Sequence, residues 1–332
     1  MEAFLIIQTA SIGDVILVTP VLESIHAAFS GAAIDLLVKK GNETLFTGHP
    51  FLRRILSWDK SCGKYKGLIH LIHGIRRNPY DHVINIQRFG SSGLITGLSK
   101  AKHTSGFTKN PFALFFTHRS KHLISKDGKA VHEVDRNLSL IDYLHIPILR
   151  RPVLYPSHSD EDAVKGYKGA EYICLAPASL WFTKQFPADQ WIEFTDALAA
   201  GLVIYLIGSS QDRTLCQQIL SRTHHPKVVD LAGKLSLLET AALMRDARMN
   251  FVNDSAPQHL ASAVNAPVST LFCSTIPAFG FGPLSDHSFI IETQEQLACR
   301  PCGIHGHPSC PEKHFKCALS IQTSQLLEKV SV

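Results

Sequence analysis

The segment with the most evident chemistry is residues 253–259, which read Asn-Asp-Ser-Ala-Pro-Gln-His. A strand-like run precedes it and a helix-like run follows it, so it forms a strand-to-helix turn. The first backbone N–H groups of such a helix lack partners within the helix and can bind a phosphate without a metal. Asp254 or Ser255 can cap the helix, and Pro257 suits its first turn. The small side chains of Ser255 and Ala256 leave room for a ligand, although an ordinary capped helix explains the same residues.

Two charged side chains could act together with this turn. Asp14 follows Gly13 at the predicted start of the first helix, where the helix dipole would keep its carboxylate ionised and able to accept a proton. Lys184 lies in a loop between a predicted strand and a predicted helix, where it could offset negative charge on a leaving diphosphate. Plainer interpretations remain open, because Asp14 can simply cap its helix and Lys184 can be a solvated charge. His259 can either pack within its domain or donate to a phosphate.

The elements that position these residues alternate between short strands and amphipathic helices. The predicted strands are 4–8, 34–38, 83–86, 172–175, 203–207, 251–253 and 268–272. Buried strands separated by helices predict parallel sheets with crossover connections. Because the pattern starts at residue 4 and again at residue 172, we expect two Rossmann-like domains facing a central cleft, residues 1–160 and 161–332. Turns after these strands carry further candidates, including Ser179 and Asp212.

Length and composition indicate a globular protein. The chain has 332 residues, 45% hydrophobic and 18% charged, which suits two domains with substantial cores. No run approaches the ~18 apolar residues of a membrane-spanning helix. The first residues lack a basic leader and resemble a buried strand more than a signal peptide. We therefore expect a cytoplasmic protein.

The charge is unevenly distributed. Residues 1–150 contain 19 Lys and Arg against 11 Asp and Glu, whereas the remainder contains 14 against 17. The basic half should meet an acidic partner. Nucleic acid is not expected, because the basic residues are scattered and lack interleaved aromatic residues or a known binding motif. An anionic glycolipid or peripheral contact with the cytoplasmic face of the inner membrane is the better prediction.

Cofactor and metal motifs are sparse. The turn at Gly13 lacks the G-x-G-x-x-G spacing, so neither NAD nor FAD is expected. The spacing C-x2-C-x7-C-x6-C would allow a structural zinc site, which we treat as a hypothesis. Its members are Cys299, Cys302, Cys310 and Cys317, interleaved with His305, His307 and His314.

Five motifs, in order along the chain, resemble a known family. They are Ser11-Ile12-Gly13-Asp14 with Thr19-Pro20, Tyr80-Asp81-His82-Val83-Ile84-Asn85, His132-Glu133-Val134-Asp135-Arg136-Asn137, the loop of Lys184, and the 253–259 turn. Together they resemble the ADP-heptose:lipopolysaccharide heptosyltransferases, glycosyltransferase family 9, over residues 4–320. The resemblance implies a GT-B fold and an inverting, metal-independent transfer of heptose from ADP-heptose to the inner core of lipopolysaccharide, with no cofactor.

The resemblance also implies roles for individual residues. Asp14 matches the general base, and Lys184 matches the lysine near the donor diphosphate. The donor-binding positions are Ser179, Asp212, Asp254, Ser255, Ala256 and His259. Two of these depart from the family pattern, since Ala256 often corresponds to Gly and the match at Asp212 could shift to Gln211. Carboxylates and phosphates of the inner core would suit a basic, acceptor-facing patch formed by Lys60, Lys64, Lys66, Arg76 and Arg77, although solvated loop charges explain each of them.

Three alternatives stay open. One is a glycosyltransferase that uses another nucleotide sugar, and a second is a sugar-nucleotide epimerase of the same two-domain plan. The third is a non-catalytic nucleotide-binding protein in which Asp14 merely caps its helix.

Overall fold

A computed structural model of the chain describes residues 2–60 and 64–330, with the side chains of residues 64–66 excepted. The chain divides into two compact units, residues 1–155 and 156–332. The boundary between the two units lies before the helix His158–Val164, whereas the sequence pattern predicts it after residue 160. This helix packs against the helix Leu237–Arg245 of the second unit, which explains why it belongs there.

The described part of the first unit contains one parallel sheet with flanking helices. Its strands are β1 (Ala3–Gln8), β2 (Ala33–Lys39), β3 (Leu52–Trp58), β4 (His82–Asn85), β5 (His103–Phe107) and β6 (His118–Ser120), followed by the hairpin β7 (Ser125–Lys126) and β8 (Lys129–Ala130). Its helices are α1 (Ile12–Ile16), α2 (Thr19–Ala28), α3 (Lys64–Arg76), α4 (Gly90–Leu98) and α5 (Glu133–Leu138), with 3-10 helices at Glu43–Phe46, Ala113–Phe115 and Ser139–Leu144. The sheet order is β3-β2-β1-β4-β5-β6.

The second unit repeats this plan. Its strands are β9 (Tyr172–Ala176), β10 (Val203–Leu206), β11 (Val228–Asp230), β12 (Met249–Asn253), β13 (Val268–Phe272) and β14 (Ser288–Glu292). Its helices are α6 (His158–Val164), α7 (Ala188–Asp196), α8 (Arg213–Arg222), α9 (Leu237–Arg245), α10 (Ala256–Ala263), α11 (Lys316–Leu319) and α12 (Thr323–Val330), with 3-10 helices at Lys165–Tyr167, Phe182–Lys184, Ser210–Asp212 and Pro277–Phe279. The sheet order is β11-β10-β9-β12-β13-β14.

Both sheets have the Rossmann order, in which the winding direction reverses beside the first strand. In the first unit the reversal lies between β1 and β4, and in the second it lies between β9 and β12. Every residue of β1, β9 and β12 is buried, as expected for central strands covered by helices on both faces. Turns that follow these strands gather at the carboxyl edge of each sheet, and this is where ligands bind in such folds.

The predicted strands are all present, with bounds shifted by at most about two residues. The sequence pattern missed β3, β5, β6, β11 and β14, and also the short hairpin of β7 and β8. β3 contains two arginines and is half-exposed at the sheet edge, so it presents no continuous apolar run. None of the helices in the described residues combines the length and apolar character that a membrane crossing requires.

Candidate active site

In the second unit, Asn253 fastens the turn after β12 to the neighbouring loop. Its buried Nδ2 donates to the carbonyl of Pro177 at 2.8 Å, and its Oδ1 accepts from the backbone N–H of Phe186 at 2.9 Å. Because β9 and β12 are paired in the sheet, the loop after β9 already begins beside this turn. The side chain of Asn253 therefore holds both ends of the segment that carries Lys184.

Lys184 and Asp254 form an ion pair at this edge. The Nζ of Lys184 lies 2.7 Å from Oδ2 of Asp254, and the two side chains are only 14% and 7% exposed. The same carboxylate accepts from Oγ1 of Thr275 at 2.6 Å and from Nε2 of Gln258 at 3.1 Å. These partners compensate the carboxylate in its buried position. Asp254 thus fixes the ammonium group of Lys184 in one place.

Within the part of the chain that the structure describes, no side chain caps the N-terminus of α10. Ser255 occupies the capping position in an extended conformation, but its Oγ donates to the carbonyl of Asn253 at 3.3 Å. Asp254 is engaged with Lys184 instead, so the expectation that Asp254 or Ser255 caps this helix is wrong. The first N–H groups of α10 are therefore not occupied by a side-chain cap, as an anion site at a helix start requires.

The cysteine-rich segment braces the loop of Lys184. The backbone N–H of Thr183 donates to the carbonyl of His307 at 3.1 Å, and the N–H of His307 donates to Oγ1 of Thr183 at 2.8 Å. Gly306 lies so close that a Cβ atom there would meet Cγ of Lys184 at 2.9 Å and Cβ of Trp181 at 3.1 Å. The position of Lys184 therefore depends on a segment far along the chain.

The four cysteines of this segment lie near one another, since the charges of Cys299, Cys302 and Cys310 each act on Cys317. Within the described residues, no group of three or more His, Cys, Asp or Glu side chains is arranged to hold a metal ion. Cys302 donates its thiol to the carbonyl of Cys299 at 3.1 Å, and burial raises the pKa of Cys317 to about 11. The structure gives the zinc hypothesis no support, and the segment instead has the bracing contacts described above.

The other donor-site candidates lie on turns of the same sheet edge. Asp212 follows β10 and accepts from the N–H and Oγ of Ser209 at 2.7 and 2.8 Å, so it closes a capping box. The carbonyl of Ser179 accepts from Nε2 of Gln185 at 2.6 Å. His259 is buried, with its Nε2 3.4 Å from Nε2 of Gln258. Ala256 is the first residue of α10. The structure brings all of these positions to one edge of the second sheet.

In the first unit, Asp14 lies in α1, directly after the turn that follows β1. Its Oδ2 accepts from Oγ of Ser11 at 2.5 Å and from the N–H of Ser11 at 3.2 Å, which completes a capping box. The interpretation of Asp14 as a helix-capping residue is therefore confirmed. Capping fixes the orientation of the carboxylate and leaves a catalytic role open.

Among the candidate cations whose side chains are described, Lys60 contacts the residue that follows β1. Its Nζ donates to the carbonyl and Oγ1 of Thr9 at 3.1 and 3.2 Å, and it lies 4.9 Å from the ring centre of Trp58. Burial lowers the pKa of Lys60, and the charge of Lys39 acts in the same direction. Lys60 therefore places a cation at the carboxyl edge of the first sheet.

Of the remaining acceptor candidates, Arg76 and Arg77, whose side chains the structure describes, do not join Lys60 in one patch. Arg76 and Arg77 lie at the end of α3, which leads to the start of β4 and so to the opposite edge of the sheet. Arg76 donates to the carbonyl of Leu98 at 2.6 Å. The side chains of Lys64 and Lys66 lie outside the described residues. A crossover helix returns the chain to the amino edge, which separates residues that are close in sequence.

Two of the sequence motifs in the first unit make contacts that hold its elements together. Burial acts to raise the pKa of Glu133, but the hydrogen bond from His122 and the charge of Arg136 outweigh it and lower the pKa. Nδ2 of Asn137 donates to the carbonyl of Leu17 at 3.1 Å, which ties α5 to the end of α1. In the other motif, the carboxylate of Asp81 accepts from the N–H of Ala3 at 2.9 Å.

Several residues of the second-unit network were not anticipated. Thr275 and Gln258 bind Asp254, and Arg300 donates to the carbonyls of Cys273 and Thr275 at 2.7 and 2.8 Å. Gln258 could have been found from its place within the 253–259 turn. Thr275 and Arg300 have no local signal, because their partners are distant in sequence.

Comparison with known proteins agrees with this architecture. The family model for glycosyltransferase family 9 (heptosyltransferase) matches residues 68–306. Lipopolysaccharide heptosyltransferase 3 of Escherichia coli is 27% identical over 277 residues, covering 79% of this chain and 81% of the relative. A glycosyl transferase family 9 structure from Veillonella parvula superposes with a TM-score of 0.85 at 19% identity, covering 99% and 96% of the two chains. The E. coli ADP-heptose lps heptosyltransferase II gives a TM-score of 0.81 at 19% identity, covering 100% and 98%.

The fold and the family model together define the class of protein. The predicted α/β fold with two Rossmann-like domains, of the GT-B type, is confirmed. The chain belongs to glycosyltransferase family 9, the heptosyltransferase family. It is therefore a transferase, as the sequence motifs predicted.

Proposed function

We propose that this protein transfers heptose from ADP-heptose to an inner-core acceptor of lipopolysaccharide, with inversion at the anomeric carbon and without a metal. The second unit binds the donor, and the first unit binds the acceptor. The observation that carries the proposal is the ammonium group of Lys184, held 2.7 Å from Asp254 on the turn that leads into the uncapped start of α10. A fixed cation and backbone N–H groups are what a leaving diphosphate requires.

The proposed reaction is a single in-line displacement. An acceptor hydroxyl oxygen forms a bond to the anomeric carbon while the bond from that carbon to the diphosphate oxygen breaks. The hydroxyl proton passes to the carboxylate of Asp14, and ADP leaves with the bonding electron pair on the opposite face of the sugar. Ser11 orients the carboxylate through the two hydrogen bonds of the capping box.

The proposed reaction needs no metal because protein groups supply the positive charge that stabilises the leaving diphosphate. Lys184 and the N–H groups of α10 take the role that a divalent cation has in other sugar-nucleotide chemistry. Asp254 partly neutralises Lys184 before the donor arrives, so the charge available to the diphosphate increases if that pair loosens on binding. Turnover should accordingly persist when a chelator such as EDTA is present.

The acceptor side of the proposal depends on the first unit. Lys60 lies beside the turn that precedes α1 and offers a positive charge to carboxylates or phosphates of the inner core. Arg76 and Arg77 lie at the other edge of the sheet. Among the described candidates, Lys60 alone is therefore proposed to bind the acceptor. Because the acceptor is part of a membrane glycolipid, the protein should work at the cytoplasmic face of the inner membrane.

The deciding experiment is an ADP-release assay with ADP-heptose and a truncated inner-core acceptor. ADP should appear only when both substrates are present, and the product should contain one added heptose of inverted anomeric configuration. ADP release without acceptor, or isomerisation of the donor sugar, would favour an epimerase. If a different nucleotide sugar gave faster turnover, the proposed mechanism would stand but the donor would not be ADP-heptose.

Asp14→Asn and Ser11→Ala separate catalysis from capping. Asp14→Asn removes the base but keeps a side-chain acceptor, so turnover should fall by about 100- to 10,000-fold. Ser11→Ala breaks the capping box and keeps the carboxylate, so it should cost about 1 kcal/mol of stability and much less activity. Steady-state kinetics and urea unfolding of both variants provide the comparison. Equal loss of turnover in the two variants would assign Asp14 to capping alone.

A further inference from the structure

One stretch of the first unit combines positive charge with exposed apolar side chains. Residues 82–126 contain seven Lys and Arg and neither Asp nor Glu. The same stretch contains Leu114, Phe115 and Phe89, whose exposed fractions are 83%, 70% and 66%. Single exposed apolar residues are common, but a cluster of large ones marks an interaction surface.

The two segments that carry these apolar side chains pack against each other. A Cβ atom at Gly90 would lie 3.5 Å from the ring of Phe112, and one at Gly97 would lie 3.6 Å from Cβ of Phe115. The 3-10 helix Ala113–Phe115 therefore runs along α4, whose N-terminal neighbour is Phe89. The glycines permit this close approach because they have no side chain of their own.

The surface is held in place rather than loose. Nδ2 of Asn110 donates to the carbonyls of Gln87 and Phe89 at 3.0 and 3.1 Å, and its Oδ1 accepts from the N–H of Phe112 at 2.9 Å. Ala113 is buried, so the turn presents Leu114 and Phe115 outward while its other side faces the unit. A fixed projection of this kind reduces the ordering cost of binding.

The charged residues that precede these segments in the sequence are positive. Arg88 precedes Phe89, and Lys109 precedes the segment that carries Leu114; both are exposed. Large apolar side chains flanked by exposed cations match the boundary between headgroups and acyl chains of an anionic bilayer. A protein partner would instead be expected to offer its own acidic and apolar groups.

We infer that this surface, defined by Phe89, Leu114 and Phe115 with Arg88 and Lys109, docks on an anionic phospholipid bilayer. This inference rests on the proposed function only because a membrane-borne acceptor would explain why the protein docks on a membrane. Docking would insert the apolar side chains among the lipids and hold the first unit at the membrane that carries the glycolipid acceptor.

The test is cosedimentation with vesicles of phosphatidylcholine, with and without phosphatidylglycerol. The protein should bind the phosphatidylglycerol vesicles more tightly, and high salt should weaken that binding. Leu114→Ser combined with Phe115→Ser should weaken it by about tenfold or more, and Lys109→Glu should weaken it as well. Matched controls are Leu319→Ser and Lys165→Glu, which change an exposed apolar residue and an exposed cation of the second unit.

Activity on a water-soluble, deacylated acceptor distinguishes this inference from the proposed function. The Leu114 and Phe115 double variant should retain wild-type turnover on that acceptor, and an equal loss there would make the surface part of the acceptor site and overturn the inference. Vesicle binding that is equal with and without phosphatidylglycerol, or unchanged by the substitutions, would also overturn it. The inference would also be overturned if the wild type bound no vesicles but self-associated, and if the same substitutions abolished that self-association. If the wild type transfers no heptose, the proposed function fails, but the vesicle assay still tests the docking surface because it does not depend on activity.

Discussion

At the scale of single residues, the pairing of Lys184 with Asp254 is the feature with the largest consequences. A lysine on a loop is ordinarily solvated, yet this one is 14% exposed and bound to a carboxylate that has two further donors. Such a pair is expensive to break from one side, because the remaining charge stays buried. Its geometry explains how a flexible side chain can be held in one position.

Substitutions in this pair should separate stability from activity. Lys184→Gln should lower turnover by about 100-fold or more and reduce the free energy of unfolding by about 3 to 5 kcal/mol, since Asp254 loses its counter-charge. Adding Asp254→Asn removes the buried charge and should restore most of the stability, but not the turnover. Urea unfolding and steady-state kinetics measure the two quantities. Recovery of turnover together with stability would show that Lys184 has a structural role only.

At the scale of elements, each candidate side chain depends on an element other than its own. The loop that carries Lys184 is held by Asn253 at the end of β12 and by His307 in the cysteine-rich segment. The turn before Asp14 is held by Asn42, whose Nδ2 donates to the carbonyl of Ala10 at 3.0 Å. Changes outside the site should therefore affect turnover without removing a reacting group.

Gly306→Ala tests this dependence. Gly306 has a φ of +81°, and its added Cβ would collide with the stem of Lys184, whereas Gly128 has a φ of +75° and open space around it. Both alanine variants should lose about 1 to 2 kcal/mol of stability from the left-handed backbone. Only Gly306→Ala should also displace Lys184 and lower turnover, by about 100-fold. Equal turnover in the two variants, measured at saturating donor, would contradict the bracing role.

At the scale of the whole molecule, the same six-strand order occurs in both units. Each unit therefore presents its candidate residues on turns at the carboxyl edge of its own sheet, Asp14 after β1 in one and Lys184 after β9 in the other. The excess of positive charge belongs to the first unit, which suits an acidic acceptor and an anionic surface.

The pH dependence of folding is also a property of the whole chain. Burial, with the charge of His26 acting in the same direction, lowers the pKa of His49 from 6.5 to about 4. Among the described residues, neither ring nitrogen of His49 has a hydrogen-bond partner, and its ring packs against Phe51 and Tyr155 at 4.5 and 4.9 Å between centres. The unfolded chain therefore binds a proton at a higher pH than the folded chain does, and acid should destabilise the fold.

His49→Phe should remove this contribution and keep an aromatic ring in the packing. The free energy of unfolding of the wild type should fall as the pH decreases from 6.5 towards 4. In the variant that fall should be shallower by up to about 1.4 kcal/mol per pH unit, the effect of one proton. Urea unfolding at several pH values measures both slopes. Parallel slopes would show that folding does not lower the pKa of His49.

The sequence alone was sufficient for the central strands, the two-unit plan and the family. Central strands are buried on both faces and therefore appear as continuous apolar runs, and the turns after them carry Asp14, Lys184 and Asp254. Strands with polar or charged residues, such as β3 and β5, leave no such pattern and were missed. The grouping of the donor-site candidates at one sheet edge also followed from the strand order.

Only the tertiary structure could show what these residues contact. The pairing of Lys184 with Asp254 and the contact of Gly306 with Lys184 each join segments that are distant in sequence. Thr183 and His307, for example, are 124 residues apart. Arg76 and Arg77 likewise lie away from Lys60, because a crossover helix carries the chain to the opposite edge of the sheet. Local pattern determines which segments become strands and helices, whereas packing between distant segments determines which side chains meet.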